Sequence, residues 1–344
     1  MRRAIRTGCL LFAVVAASIA IMPGASAESL EEFYRGKQMS MIIGYPTGGS
    51  NDIYARAVAR HIGKHIPRNP TVIPRNMPGG GSLVAANHVF NVAPKDGTIL
   101  SLIAPTIPLE ERLGAPNVRL KVTEFNWIGR VAPSVNLTFV MNTVPVKTIQ
   151  DTFKREIILG ASARTSTVAL YPMVLANVIG AKFKMVMGYK SSSTAMLAME
   201  RGEVEGHSTS MEIVRALHAD WITDKKITML VQYSLKRHPE MPDVPMSWEL
   251  GRTDDEKQIL RIVANATEVG KMILSTPSTP TDRIQALRRA FDATVKDPAF
   301  LAELKNQRVD VGPMPGEELQ QLVAEVANVS PSIIDKVKAI YPLN

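Results

Sequence analysis

Short apolar runs alternate with amphipathic stretches through the first part of the chain. Met41-Ile42-Ile43, Thr71-Val72-Ile73 and Thr98–Ala104 read as buried strands, each closed by turn residues. Between the first two, Asp52–His65 puts Ala55, Ala59, Ile62 and Ile66 on neighbouring turns of a helix. A second helix follows Ser82, its expected N-cap, to about Val92. This alternation predicts a parallel sheet, which gathers ligands at the carboxyl ends of its strands. Two glycine turns, "GYPTGGSND" and "RNMPGGGS", fall at such ends. Loops of this kind collect backbone N–H groups around an anion.

The middle of the chain repeats the pattern. Ile157–Leu159 is a strand followed by "GASARTST", and a helix over Met173–Ile179 stops at Gly180. Pro172 argues against a regular helix running from Ser166. Lys184–Met187 is a strand ending in "GYKSSS", Thr194–Arg201 a helix ending at Gly202, and "VEGHSTS" and Ile227–Val231 two further strands. The last hundred residues read as mostly helical, over about 254–265, 281–295, 298–305, 316–327 and 331–340. The expected fold is α/β, with two lobes around a cleft: 28–131 plus 250–344 in lobe one, 132–249 in lobe two.

The N-terminus changes where this fold is expected to work. Arg2, Arg3 and Arg6 precede an apolar run from Cys9 to Met22, and Ala25-Ser26-Ala27 supplies a small-x-small cleavage site. That is the pattern of a signal peptide over 1–27, too short for a comfortable membrane span. The mature chain would begin at Glu28 in the periplasm. It would lack cysteine, which removes disulfides and thiol nucleophiles from consideration. Without the leader, 37 Lys+Arg stand against 32 Asp+Glu. The basic residues are scattered and no nucleic-acid motif accompanies them, so the mild positive charge favours small anionic ligands over nucleic acid.

The search for chemistry is negative. "GGSND" lacks the Lys-Ser/Thr of a phosphate-binding P-loop, "PGGGS" lacks dinucleotide spacing, and no G-x-S-x-G elbow is present. His61 and His65 have no third metal ligand and read as solvated helix residues. Glu110-Glu111 reads as a solvated turn, because adjacent residues on a helix do not face one another. Trp127, Trp221 and Trp248 are too dispersed for a sugar platform. No metal, cofactor or catalytic group is expected, and binding is favoured over turnover.

Five ordered stretches resemble one family: "YPTGGSNDIYAR", "NMPGGGSLVAANHV", "APKDGTIL", "MGYKSSSTAMLAMERGEVEG" and "RHPEMPDVPMSWELG". They are similar to the substrate-binding proteins of tripartite tricarboxylate transporters, the Bug-type periplasmic receptors. The resemblance implies a two-lobed periplasmic-binding-protein type II fold, a Venus flytrap. It also implies a small di- or tricarboxylate-like ligand held largely by main-chain N–H groups and water, and delivery to the transporter's membrane subunits by a monomeric receptor. Carried onto this chain, the ligand loop of lobe one is Tyr45, Pro46, Thr47, Gly48, Gly49, Asn51 and Asp52. Gly48 and Gly49 are expected to be free to adopt positive φ, and Asp52 to cap the next helix. Pro78, Gly79 and Gly80 form the second loop, and Ala104 and Thr106 close that lobe. Lobe two supplies Ser162, Ala163, Arg164, Thr165 and Ser166, then Tyr189 and Lys190, then Ser208 and Thr209.

Lobe two departs from the family pattern. Thr165 stands where a glycine is usual, Ala169 about where a histidine would be, Gly188 replaces a proline and Ser191 a glycine. Arg164 is an added charge, either a surface residue or a cleft residue pairing with a second anionic group of the ligand. Two other functions share the same cleft on sequence alone: an α/β enzyme acting on a carboxylate, and a ligand sensor for a signalling partner.

Overall fold

A computed structural model of the chain describes residues 28–164 and 166–341. The expected signal peptide and Thr165 lie outside the described residues. After a short helix α1 (Leu30–Tyr34) come β1 (Gln38–Ile43), α2 (Ser50–Ile62), β2 (Thr71–Asn76), α3 (Leu83–Asn91), β3 (Ile99–Leu102), α4 (Ile107–Leu113) and β4 (Asn126–Arg130). The chain then passes through β5 (Asn136–Met141), β6 (Ile157–Gly160), α5 (Thr167–Ile179), β7 (Phe183–Val186), α6 (Ser192–Glu200), β8 (Gly206–Ser210), α7 (Met211–Thr223) and β9 (Ile227–Tyr233). It continues through α8 (Asp254–Val269), β10 (Met272–Ser275), α9 (Thr281–Thr294), α10 (Pro298–Asn306), β11 (Met314–Pro315), α11 (Gly316–Ala327) and α12 (Pro331–Ile340).

The strands form two sheets, giving a two-lobed α/β molecule. The first has the order β11-β4-β10-β3-β1-β2 and the second β7-β6-β8-β5-β9. In each, the strands of the β-α alternation are parallel: β1 with β2 and β3, and β6 with β7 and β8. The strands entered from the other sheet are antiparallel to them: β5 lies against β8, and β10 against β3. Their N-terminal ends therefore share an edge with the C-terminal ends of the parallel strands.

Burial explains why these segments hold their shape. β3 and β10 are buried at every position, as expected of strands covered on both faces. Helix α5 runs unbroken through Pro172, against the expectation of a break. An interior proline costs about 3 kcal/mol through its missing N–H and ring clash. Leu170, Tyr171, Val174 and Leu175 around it are fully buried, each contributing roughly 1.5–3 kcal/mol, and together they outweigh that cost. Those residues share one core cluster with α4, α8 and α12. The expectation of a solvated Glu110-Glu111 turn fails here. Both residues lie on α4; Glu110 is buried with neither carboxyl oxygen hydrogen-bonded among the described residues, and Glu111 accepts the Val122 N–H at 2.7 Å.

Candidate functional site

The loop after β1 is braced from below rather than capped from its own start. Gly49 is the N-cap of α2, and Asp52 is the third helical residue, so the expected Asp52 cap is corrected. Asp52 instead reaches back to accept the Gly48 N–H at 2.9 Å, and also accepts Arg56 Nε at 2.9 Å and Asn76 Nδ2 at 2.7 Å. Burial pushes its pKa up, but the hydrogen bonds from Arg56, Asn76 and Gly48 prevail and hold it below the usual value. Asn76, at the end of β2, also donates to the Tyr45 carbonyl at 2.9 Å. Gly48 has φ +90°, whereas Gly49 has φ −85°, so left-handed backbone is needed at the first glycine only.

The second loop winds through four consecutive left-handed residues, Gly79, Gly80, Gly81 and Ser82. Ser82 is the N-cap residue of α3, as expected, yet its side chain makes no capping bond. It is buried, and its Oγ has no hydrogen-bond partner among the described residues. The hydroxyl presses on the first loop: a Cβ at Gly44 would meet Ser82 Oγ at 1.7 Å. A left-handed non-glycine residue costs about 1–2 kcal/mol, a strain that marks functional turns.

In the second lobe Ser166 is the N-cap of α5 and receives the Ser162 hydroxyl at 2.9 Å. Ser191 caps α6, accepting the Thr194 N–H at 3.3 Å, and Ser210 is the N-cap of α7. Ser192 and Thr209 share a hydroxyl–hydroxyl bond of 2.9 Å.

These elements surround a cavity of about 460 Å³ between the sheets. From the first loop its wall takes Tyr45, Pro46, Thr47, Gly48, Gly49 and Asn51. From the second it takes Pro78, Gly79 and Gly80, with Ala104 beside them. The other lobe contributes Ser162, Ala163, Ser166, Lys190 and Thr209. Five named candidates among the described residues are absent from that wall. Asp52 and Thr106 are buried behind it, Ser208 is buried along β8, and the Tyr189 ring packs over Gly160. Arg164 is exposed, with its guanidinium 5.8 Å from the Tyr341 ring and its carbonyl accepting the Tyr341 hydroxyl. Thr165 lies outside the described residues.

Other wall residues were not expected. Ser134, Asn136 and Lys271 arrive from the antiparallel strands at their N-terminal ends. Lys271 is 2% exposed, and its Nζ donates to Ser134 Oγ at 3.1 Å and Ser50 Oγ at 3.3 Å. Burial lowers its pKa, partly opposed by the charge of Glu212. Five helices start on the wall, at Gly49, Ser82, Ser166, Ser191 and Ser210. Each N-terminus carries roughly half a positive charge. Lys190 and Lys271 add two ammonium groups, and among the described residues the wall holds no Asp, Glu, His or Cys. The electrostatics of this wall favour an anion. His61 and His65 lie elsewhere and are partnered rather than solvated, by Glu303 at 2.9 Å and Asp297 at 3.1 Å.

A sequence profile described as "tripartite tricarboxylate transporter family receptor" (TctC) matches residues 54–339. The chain belongs to this family. Among relatives of this TctC-family chain, "UPF0065 protein in gbd 5'region" of Cupriavidus necator is 24% identical over 94% of this chain and 94% of the relative. Protein BugT of Bordetella pertussis is 26% identical over 70% of this chain and 74% of the relative. In fold it resembles the periplasmic binding protein BugD, with a TM-score of 0.69 at 21% identity, covering 89% of this chain and 98% of BugD. It also resembles R. palustris Rpa4515 solved with adipate, with a TM-score of 0.66 at 20% identity over 88% and 97% of the two chains. MatC of Rhodopseudomonas palustris, solved with bound malate, gives 0.64 at 16% identity over 86% and 98%.

Proposed function

We propose that this chain is a periplasmic receptor that captures a small carboxylate in the interlobe cavity and delivers it to the membrane subunits of a tripartite tricarboxylate transporter. One observation carries the reading: five helix N-termini and two lysines converge on a wall that, among the described residues, has no acidic side chain. Preorganised donors of this kind bind carboxylate oxygens without large rearrangement, and charge-assisted bonds are the strong ones. The family and the adipate and malate complexes of fold neighbours support the same ligand class. Among the described residues the wall holds no carboxylate, imidazole or thiol, and its lysines and hydroxyls serve in this reading as donors to a bound anion.

A thermal-shift screen of small carboxylates against the mature chain tests the capture step. At least one acid should raise the melting temperature, and its amide should not. The delivery step is tested by uptake of that acid in cells lacking the chain, which should fall and be restored by the wild-type chain. Stabilisation by amides or sugars alone would overturn the reading.

A further inference from the structure

We infer that Lys271, through the ammonium it directs between Ser50 and Ser134, seats the ligand's anionic group at the crossover between the lobes and sets the preference for charged over neutral ligands. This rests on the carboxylate-receptor reading above and says which residue carries the charge. The ammonium has three N–H donors. Two are committed to Ser134 Oγ and Ser50 Oγ, and one remains. Ser134 Oγ also accepts Asn136 Nδ2 at 3.3 Å, which occupies its second lone pair. Its hydroxyl proton is thereby left to donate. Ser50, the first residue of α2, places that helix N-terminus beside the ammonium. An ammonium, a hydroxyl proton and a helix N-terminus thus meet on the cavity wall at residues that are each at least nine-tenths buried.

Charging this amine inside the protein is costly, which is why burial lowers its pKa, and a counter-charge offsets that cost. Among the described residues, Lys271 has no carboxylate partner within 4.0 Å. Its nearest aromatic face is Tyr54, 5.8 Å from Nζ, and Glu212 acts on it only at longer range. A buried cation without a close partner is unfavourable, and an arriving anion relieves that cost. Ser134 lies between β4 and β5, and Lys271 between α8 and β10, so the seat joins the crossing from the first sheet to the second with the end of the return, where the chain re-enters the first sheet. An anion bound there contacts both passages at once.

The test is a cycle of ligand charge against residue charge. Malate, succinate and adipate, each with its diamide, are titrated by calorimetry into the wild type, Lys271→Met and Lys271→Gln, using displacement for weak ligands. The wild type should prefer an acid over its diamide, and either substitution should reduce that preference by roughly 10- to 100-fold. Thermal melts establish that the variants fold. In the wild type alone, the Lys271 ¹⁵Nζ signal of ¹⁵N-lysine-labelled protein, assigned by its loss in Lys271→Met, should move on saturation with the acid. If acid and diamide weaken equally, or the preference survives, or that signal stays fixed, Lys271 is not the charge partner. If the wild type binds none of the three acids, the carboxylate reading falls with it.

Discussion

Asp52 Oδ2 accepts the Gly48 N–H at 2.9 Å, tying the helix to the loop that precedes it. The bond runs from the third helical residue back past the N-cap, so the loop after β1 is held by the helix it introduces. Asp52→Ala should lower unfolding free energy by roughly 2–3 kcal/mol in urea titrations. That is below the range for fully buried pairs, because Arg56 keeps partial contact with water. The pH dependence has a fixed sign. The folded pKa is lowered, so this stability is present above the unfolded carboxylate value and is lost as pH falls through the folded one. Asp52→Asn should therefore show a shallower acid limb than the wild type.

The two loop glycines should behave differently. Gly48 has φ +90° and Gly49 φ −85°, and an added Cβ meets nothing within 4 Å at either. Gly48→Ala should cost about 1 kcal/mol through left-handed strain. At Gly49 the lower chain entropy of alanine in the unfolded state opposes its poorer N-capping, and the two nearly cancel. Thermal melts of the two variants should separate them; equal losses would contradict the backbone assignment.

Glu110 provides a pH signature opposite to that of Asp52. Burial raises its carboxyl to about 7 from an ordinary value of 4.5. The folded state keeps the proton, so stability is full below the unfolded value and declines as pH rises through the folded one. The loss should amount to about 3 kcal/mol between roughly pH 4.5 and pH 7. Glu110→Gln should remove that decline and exceed the wild type in stability at about pH 8. Urea unfolding across this range checks it, and a parallel decline in the variant would show that another group is responsible.

The glycine loops were legible because their signal is local. A short apolar run, a turn and an amphipathic stretch fix both the parallel strands and the edge where ligands collect. What escaped was non-local. Ser134, Asn136 and Lys271 reach the cavity because β5 and β10 run antiparallel, which brings strand starts to that edge. No periodicity announces direction, and the β10 segment lies in a tail whose sequence reads as mostly helical. Gly270-Lys271, a charge entering the apolar run Met272-Ile273-Leu274, was the available sign. The buried Glu110 is not legible for a related reason: its helix packs against α8, α11 and α12, and Tyr341 lies near its carboxyl, all far along the chain.

The anion-receptor account is tested most directly by what the protein carries. Mature protein purified from the periplasm without added ligand is denatured, and the released small molecules are identified by mass spectrometry. The leading compound is then titrated onto stripped, refolded protein. The account predicts a small carboxylate that rebinds with one molecule per chain and is recovered unchanged after prolonged incubation. Release of a neutral or cationic compound that rebinds in its place, or conversion of the bound acid to a product, would contradict it.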